Sequence, residues 1–157
     1  MATDTGTVVT VRGRIDPDEL GMVMTHEHVF LDMVTGWFTE PSEPEAQRLA
    51  REPVSLENLG YIRMNPLKNK DNMRLESTPE AIEELEQYRR AGGRTIVYVT
   101  PKSAGADPER VRRNARATGL QFVQGTAYYN RPSHSDHVDT STAAQLERES
   151  RDDVRAG

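Results

Sequence analysis

The chain has 157 residues and a formal net charge of −5, with 35% hydrophobic and 29% charged residues. Its lysines and arginines are dispersed, which argues against nucleic acid or an anionic membrane as a partner. It has no cysteine, which excludes disulfides and thiolate metal sites. Its length suits a single domain over 1–157. No apolar run approaches the roughly 20 residues that cross a bilayer. Because the N-terminus lacks the pattern of a secretory signal, the cytoplasm is the expected compartment.

The predicted elements begin with β-structure. The stretch "TVVTVRGRI" over 7–15 alternates β-branched and polar residues, which predicts a strand or a hairpin with a turn near Gly13. A second strand is predicted over 22–31, apolar enough to be buried on both faces as in a parallel sheet. Prolines and polar residues dominate 35–74, so this segment is predicted to be a long loop with one short helix at "EPEAQRLARE". A loop of that length is typical of an active-site wall or of disorder.

Helices and strands then alternate. A helix is predicted over 78–91 with Ser77 or Thr78 as its cap, followed by the strand "RTIVYVTP". A second helix begins at the cap Asp107 and is followed by the strand "LQFVQGTAYY". After the polar loop "NRPSHSDHVD", a capping box at Thr142 starts a third helix with a thin apolar face. This order predicts a parallel α/β arrangement. The chain ends where a fourth strand is expected to begin.

Two histidines in the stretch "LGMVMTHEHVFLD" are candidate metal ligands. His26 and His28 are two residues apart, so on a strand they project from the same face, above Met22 and Met24, while Glu27 faces a helix on the other side. They come late in the strand, and α/β folds build their sites at the C-terminal ends of parallel strands. Two imidazoles there can hold one transition metal. The same spacing also occurs by chance in strands that bind nothing, and both interpretations remain open.

Longer motifs carry a family resemblance. The segment "TVVTVRGRIDPDELGMVMTHEHVFLD" resembles the opening of the phosphotriesterase family in the amidohydrolase superfamily. The segment "GGRTIVYVTPKSAGADPERVRRNARATGLQFVQGTAYY" resembles its second and third strands, and "HVDTSTAAQLERESRDDVRAG" the approach to the fourth. Only 35–74 stays indistinct. The resemblance implies the N-terminal portion of a (β/α)8 TIM barrel, with about three βα units after an N-terminal hairpin and the barrel incomplete.

The resemblance also implies a function. The family's members are metal-dependent hydrolases of ester, lactone or organophosphate bonds that use a metal-activated hydroxide. Their complete sites hold two divalent metals, often zinc, and His26 and His28 match the pair that binds the more buried one. Tyr129 matches an aromatic position that lines the substrate pocket, while Tyr98 stands where relatives usually carry an aspartate. The family's bridging lysine and the metal ligands of later strands have no counterpart here, so at most a partial metal site and no catalytic residue are expected.

The chain is therefore expected to be inactive alone, as part of a hydrolase with small-molecule substrates. The sequence leaves open whether the full-length protein forms a homodimer. The alternative is a non-catalytic, truncated barrel that is unstable or associates with another chain, because three βα units leave sheet edges uncovered. A third reading, an all-β cupin, conflicts with the two capped helices. His134 and His137 lie in a polar loop and are predicted to be solvated rather than a second metal pair.

Overall fold

The computed structural model describes residues 6–156. The strands within this range are β1 (Val8–Thr10), β2 (Gly13–Ile15), β3 (Met22–Glu27), β4 (Leu31–Asp32), β5 (Arg74–Leu75), β6 (Gly93–Tyr98) and β7 (Gln121–Gln124). The α-helices are α1 (Val34–Trp37), α2 (Pro44–Leu49), α3 (Leu59–Met64), α4 (Thr78–Arg90), α5 (Pro108–Thr118), α6 (Asp136–Thr140) and α7 (Ala143–Ala156). Short 3₁₀ turns lie at Pro17–Glu19, Pro66–Lys68, Asp71–Met73, Lys102–Ala104 and Arg131–Ser133.

The centre of the fold is a parallel sheet with the strand order β3-β6-β7. Ile96 of β6 lies in register with Met24 of β3 on one side and with Phe122 of β7 on the other. Helix α4 leads into β6 and α5 leads into β7, so these two parallel strands each follow a crossover helix. The predicted parallel α/β arrangement is confirmed.

An antiparallel hairpin of β1 and β2 precedes the sheet. Thr10 Oγ1 donates to the carbonyl oxygen of Gly13 at 2.7 Å, which closes the turn. The backbone N–H of Val11 donates to the carbonyl oxygen of Phe122 at 2.9 Å and attaches the hairpin to β7. The hairpin predicted over 7–15 is confirmed.

The helices begin at the predicted caps. Ser77 accepts a hydrogen bond from the N–H of Glu80, and Asp107 Oδ1 accepts one from the N–H of Arg110 at 2.9 Å. Gly119 ends α5 with φ of +76°, a left-handed conformation that glycine adopts without strain. Such caps satisfy N–H groups that have no partner inside the helix.

The third predicted helix is also present as α7. The N–H of Thr142 donates to Gln145 Oε1 at 2.8 Å, and the N–H of Gln145 donates to Thr142 Oγ1 at 3.3 Å. These reciprocal bonds are the predicted capping box.

No helix in the described part of the chain is long and apolar enough to span a membrane.

The hydrophobic core lies between the sheet and its helices. Its buried members include Phe30, Leu85, Ile96, Tyr98, Val111, Ala115 and Phe122. Burying one large apolar side chain stabilises the fold by about 1.5–3 kcal/mol. Tyr88 of α4 also donates a hydrogen bond to the carbonyl oxygen of Met22 at 2.9 Å. A Cβ at Gly93 would meet the Tyr88 ring at 2.3 Å, so glycine permits this close approach of helix and strand.

The segment 35–74, predicted as a long loop, contains α2, α3 and two 3₁₀ turns, and α2 lies within the predicted "EPEAQRLARE" helix. Asn69 is fully buried, and its side-chain amide donates to the carbonyl oxygens of Leu49 at 2.7 Å and Glu52 at 2.8 Å. Buried backbone acceptors require such partners. Helix α3 was not predicted, because its 6 residues are too few to show apolar periodicity.

Candidate metal centre

The strand that carries the histidines is irregular. Met24 lies in register with Ile96, whereas Glu27 lies in register with Tyr98, so β3 uses three residues where β6 uses two. Such a bulge interrupts the alternation of side chains between the two faces. Met24 consequently packs against the core under the helices, while His26 is exposed. The prediction that His26 and His28 project from one face above Met22 and Met24 assumed a regular strand, and the bulge breaks that regular alternation between Met24 and Glu27.

The bulge leaves the two histidines close together at the end of β3. Their ring centroids are 5.4 Å apart and the ring planes meet at 73°, an edge-to-face arrangement. The strand ends at Glu27, earlier than predicted, so His28 lies one residue beyond it. His26 is exposed and His28 is half-buried. The structure thus brings both predicted ligands together at the C-terminal end of a parallel strand.

A buried hydroxyl that the sequence analysis did not single out contacts this pair. Thr100 is fully buried, and its Oγ1 lies 2.8 Å from Nδ1 of His28. The same oxygen donates a hydrogen bond to the carbonyl oxygen of Phe30 at 2.9 Å. The signal in the sequence is weak: Thr100 follows the strand "RTIVYV", and only the pairing of β3 with β6 brings it to His28.

The electrostatics favour an uncharged His28. Burial lowers the pKa of His28, the neighbouring His26 lowers it further, and Glu27 opposes both effects. The neutral imidazole is the form that binds a metal ion. His28 is therefore suited to act as a ligand at neutral pH.

The donor set is incomplete within the described residues. Over 6–156, no group of three or more His, Asp or Glu side chains is arranged to hold a metal ion. A catalytic zinc generally has three protein ligands and one open position. The two imidazoles of His26 and His28 are chemically suited to such an ion.

The predicted substrate residue, Tyr129, is exposed and contacts an aromatic side chain. Tyr129 is 58% exposed, and its ring lies 5.6 Å from that of Trp37 in α1. Its carbonyl oxygen lies 3.1 Å from Nε2 of His134. These contacts join Tyr129 to α1 and to the loop after β7, and they do not involve the histidine pair.

The remaining histidine also has a separate partner. His137 belongs to α6, and its Nε2 lies 3.0 Å from both carboxylate oxygens of Glu149. Tyr128 donates to Glu149 Oε2 at 2.5 Å. His134 and His137 thus contact different groups, and the expectation that His137 lies solvated in a loop is wrong because it belongs to α6 and pairs with Glu149.

The sequence also matches known proteins. The sequence model of the phosphotriesterase family matches residues 6–157 of this chain. The chain belongs to the phosphotriesterase family. N-acetyltaurine hydrolases from Salmo salar and Homo sapiens are 33% and 32% identical to it over 147 residues, which is 93% of this chain and 42% of each relative.

Solved structures agree with this assignment. A resiniferatoxin-binding protein from Rhodobacter sphaeroides has a TM-score of 0.86 and 37% identity over 92% of this chain and 40% of its own. A phosphotriesterase homology protein from Escherichia coli, solved with phosphate in its active site, has a TM-score of 0.59 and 21% identity over 84% of this chain and 35% of its own. The latter shares the fold alone. The chain spans about two fifths of the length of the curated relatives that it matches.

Proposed function

We propose that this chain is the N-terminal portion of a metal-dependent hydrolase and carries half of its more buried metal site. The observation that supports this most is the placement of His26 and His28 at the C-terminal end of β3, 5.4 Å apart between ring centroids. In a (β/α)8 barrel that end of the strands forms the active-site face. The hairpin and the three parallel strands correspond to the start of such a barrel, and its remaining strands lie outside these 157 residues.

In this proposal, His26 and His28 hold one divalent ion, and imidazole donors favour zinc among the common ones. When bound, the metal supplies Lewis-acid chemistry: it polarises the scissile bond and lowers the pKa of water. The chain's own contribution is to present two imidazoles, and burial lowers the pKa of one of them, His28. Because the described residues provide no third ligand, we expect no turnover from this chain alone.

The proposed substrates are small molecules with a hydrolysable acyl or phosphoryl bond. The relatives above 30% identity include N-acetyltaurine hydrolases, which favours an amide of a small acid. Esters, lactones and phosphotriesters remain in the proposal because of the family. Tyr129, exposed beside Trp37, would provide an aromatic wall for the substrate.

Zinc titration of the purified chain tests the metal half of the proposal. The chain should bind zinc weakly, at or below one ion per molecule, and both His26→Ala and His28→Ala should abolish this binding. His134→Ala is the matched control, since His134 contacts the carbonyl oxygen of Tyr129 instead. Zinc binding that survives loss of either member of the pair would contradict the proposed site.

Activity assays test the other half. N-acetyltaurine, a γ-lactone and an aryl phosphotriester should each show no turnover with the zinc-loaded chain. Turnover that disappears in His28→Ala would overturn the proposal that the site is incomplete. The coding sequence beyond codon 157 provides a further check, since the family pattern requires an apolar strand that contains a lysine.

A second candidate function is non-catalytic association with another chain. Within the described residues, the order β3-β6-β7 leaves the outer edge of β3 without a paired strand. An open cleft of about 1330 Å³ beside that edge is lined partly by the apolar side chains of Met24, Val29 and Leu85. Uncovered edges of this kind promote pairing with other chains. Size-exclusion chromatography tests this candidate, and a monomer that melts cooperatively would contradict it.

A further inference from the structure

The position of Thr100 follows from the pairing of the first two parallel strands. The N–H of Val99 donates to the carbonyl oxygen of Glu27 at 3.1 Å, so the pairing of β3 and β6 continues past Tyr98. The residues that follow Val99 and Glu27 are Thr100, two residues beyond the end of β6, and His28, one residue beyond the end of β3. Their side chains meet although they are 72 residues apart in sequence.

The hydrogen bonds of Thr100 determine which nitrogen of His28 carries the proton. A threonine hydroxyl has one proton and two lone pairs. Thr100 Oγ1 gives its proton to the carbonyl oxygen of Phe30 at 2.9 Å. The same oxygen lies 2.8 Å from Nδ1 of His28 and therefore accepts a hydrogen bond from that nitrogen. Nδ1 thus carries the hydrogen, and in the neutral ring Nε2 keeps a free lone pair.

The opposite arrangement is unfavourable. If the hydroxyl donated to Nδ1 instead, Thr100 Oγ1 and the carbonyl oxygen of Phe30 would face each other as two acceptors 2.9 Å apart. Both residues are fully or almost fully buried, so the repulsion between these two acceptor oxygens would be little screened, although the carbonyl oxygen would still accept from Tyr98. The tautomer with the proton on Nδ1 satisfies all three groups.

We propose that Thr100 is a positioning residue of the metal site, whose buried hydroxyl holds His28 as the Nδ1–H tautomer and leaves Nε2 free for the cation. This inference rests on the proposed metal-binding function. A metal-bound histidine generally donates its other N–H to an oxygen acceptor, which fixes the tautomer and the orientation of the ring. His26, which is exposed, has no comparable buried anchor among the described residues, so Thr100 acts on one ligand of the pair.

The core provides a stable base for this hydroxyl. Tyr98 donates a second hydrogen bond to the same carbonyl oxygen of Phe30, at 2.9 Å. This carbonyl oxygen would therefore keep a donor if the Thr100 hydroxyl were removed. Thr100→Val, which has nearly the same volume, should consequently fold, and Thr100→Ser restores the hydroxyl.

The decisive measurement is ¹⁵N NMR of the histidine rings in the metal-free chain at pH 8, with His28→Ala used to assign the His28 signals. The native chain should show a protonated Nδ1 and an unprotonated Nε2 at His28. Thr100→Val should lose this preference and Thr100→Ser should keep it. Thr126→Val removes another hydroxyl at the same edge of the sheet, one that donates to Asp153, and should change nothing at His28.

Zinc titration provides the second measurement. Thr100→Val should weaken zinc binding about 10- to 100-fold, and Thr100→Ser and Thr126→Val should bind as the native chain does. An Nε2–H tautomer in the native chain, or a His28 tautomer unchanged in Thr100→Val, would overturn the proposal. If Thr100→Val does not fold, the His28 tautomers measured in the native chain and in Thr100→Ser test the proposal instead. If the native chain takes up no zinc, the proposed metal function fails, whereas a Thr100-dependent tautomer would still support the hold on the His28 ring.

Discussion

Two polar clusters at the C-terminal edge of the sheet are built differently. In the histidine cluster, Tyr98 and Thr100 bond the carbonyl oxygen of Phe30, His28 contacts Thr100, and His26 lies beside His28. The α7 cluster consists of Lys102, Tyr128, His137, Glu149 and Asp153. Each contains a tyrosine whose pKa is raised. For Tyr98 the largest cause is burial, whereas for Tyr128 the hydrogen bond to Glu149 is the largest cause and raises the pKa to about 12.

The histidine cluster is a preorganised site, whereas the α7 cluster attaches a helix to the sheet. In the histidine cluster, buried hydroxyls bond a backbone carbonyl whose position the core fixes. In the α7 cluster, exposed ion pairs hold α7 against the sheet, for example Lys102 with Asp153 at 2.7 Å. Exposed ion pairs contribute about 1 kcal/mol or less and weaken with salt. Geometry fine enough to select a tautomer is therefore expected only in the histidine cluster.

The largest expected effect comes from removing the buried tyrosine. Tyr98→Ala should lower the free energy of unfolding by about 3–5 kcal/mol, because Tyr98 is fully buried in the core. Tyr128→Ala, the matched change in the α7 cluster, should cost about 1 kcal/mol. Urea denaturation followed by circular dichroism measures both. Equal losses would contradict the distinction between the two clusters.

A milder change separates packing from hydrogen bonding. Tyr98→Phe removes only the hydroxyl, and the carbonyl oxygen of Phe30 still accepts from Thr100. The expected loss is about 1 kcal/mol, again by urea denaturation. A loss as large as that of Tyr98→Ala would mean that the hydroxyl, rather than the ring, carries most of the stabilisation.

Local patterns predicted much of the fold and half of the candidate site. Caps and apolar periodicity predicted α4 and α5, and the spacing of His26 and His28 predicted that they lie together. Thr100 was missed because its contact depends on the register of β3 against β6 and on the bulge in β3. Of the two 6-residue helices, α2 was predicted within "EPEAQRLARE", whereas α3 was missed because so short a helix shows no apolar periodicity.

The α7 cluster illustrates the same limit. The capping box at Thr142 and Gln145 predicted where α7 begins. The sequence did not indicate that the side chain of Glu149 would meet Tyr128, because that contact depends on how the loop after β7 packs. The role of Tyr129 in lining a substrate pocket was predicted only from the family resemblance, and its contact with Trp37 was not predicted.

The next prediction concerns the titration of Tyr128. Glu149→Ala removes the acceptor of its hydroxyl, so the pKa of Tyr128 should fall from about 12 toward the ordinary value near 10. The elevated pKa of Tyr98 should not change, since burial is its main cause. Ultraviolet titration of the phenolates, with Tyr128→Phe to assign the transition, measures this. Glu147→Ala is the control, because Glu147 pairs with Arg151 instead. An unchanged Tyr128 transition in Glu149→Ala would refute the assigned cause.

The smallest expected effect is a local response of α7 to acid. Hydrogen bonds from Tyr128 and His137 lower the pKa of Glu149, and those from Lys102 and Thr126 lower the pKa of Asp153. A carboxyl group with a lowered pKa in the folded state stabilises that state above its unfolded pKa of about 4, and this contribution is lost as the pH falls through the folded value. Below about pH 4, therefore, α7 should lose amide protection while β6 keeps it. Hydrogen exchange, corrected for the intrinsic rate at each pH, measures the protection of both elements.

Asp153→Asn should reduce the protection of α7 at pH 7 and flatten its dependence on pH. Simultaneous loss of protection in α7 and β6 would show that the sheet and α7 unfold as one unit, and that the exposed pairs do not form a separate attachment.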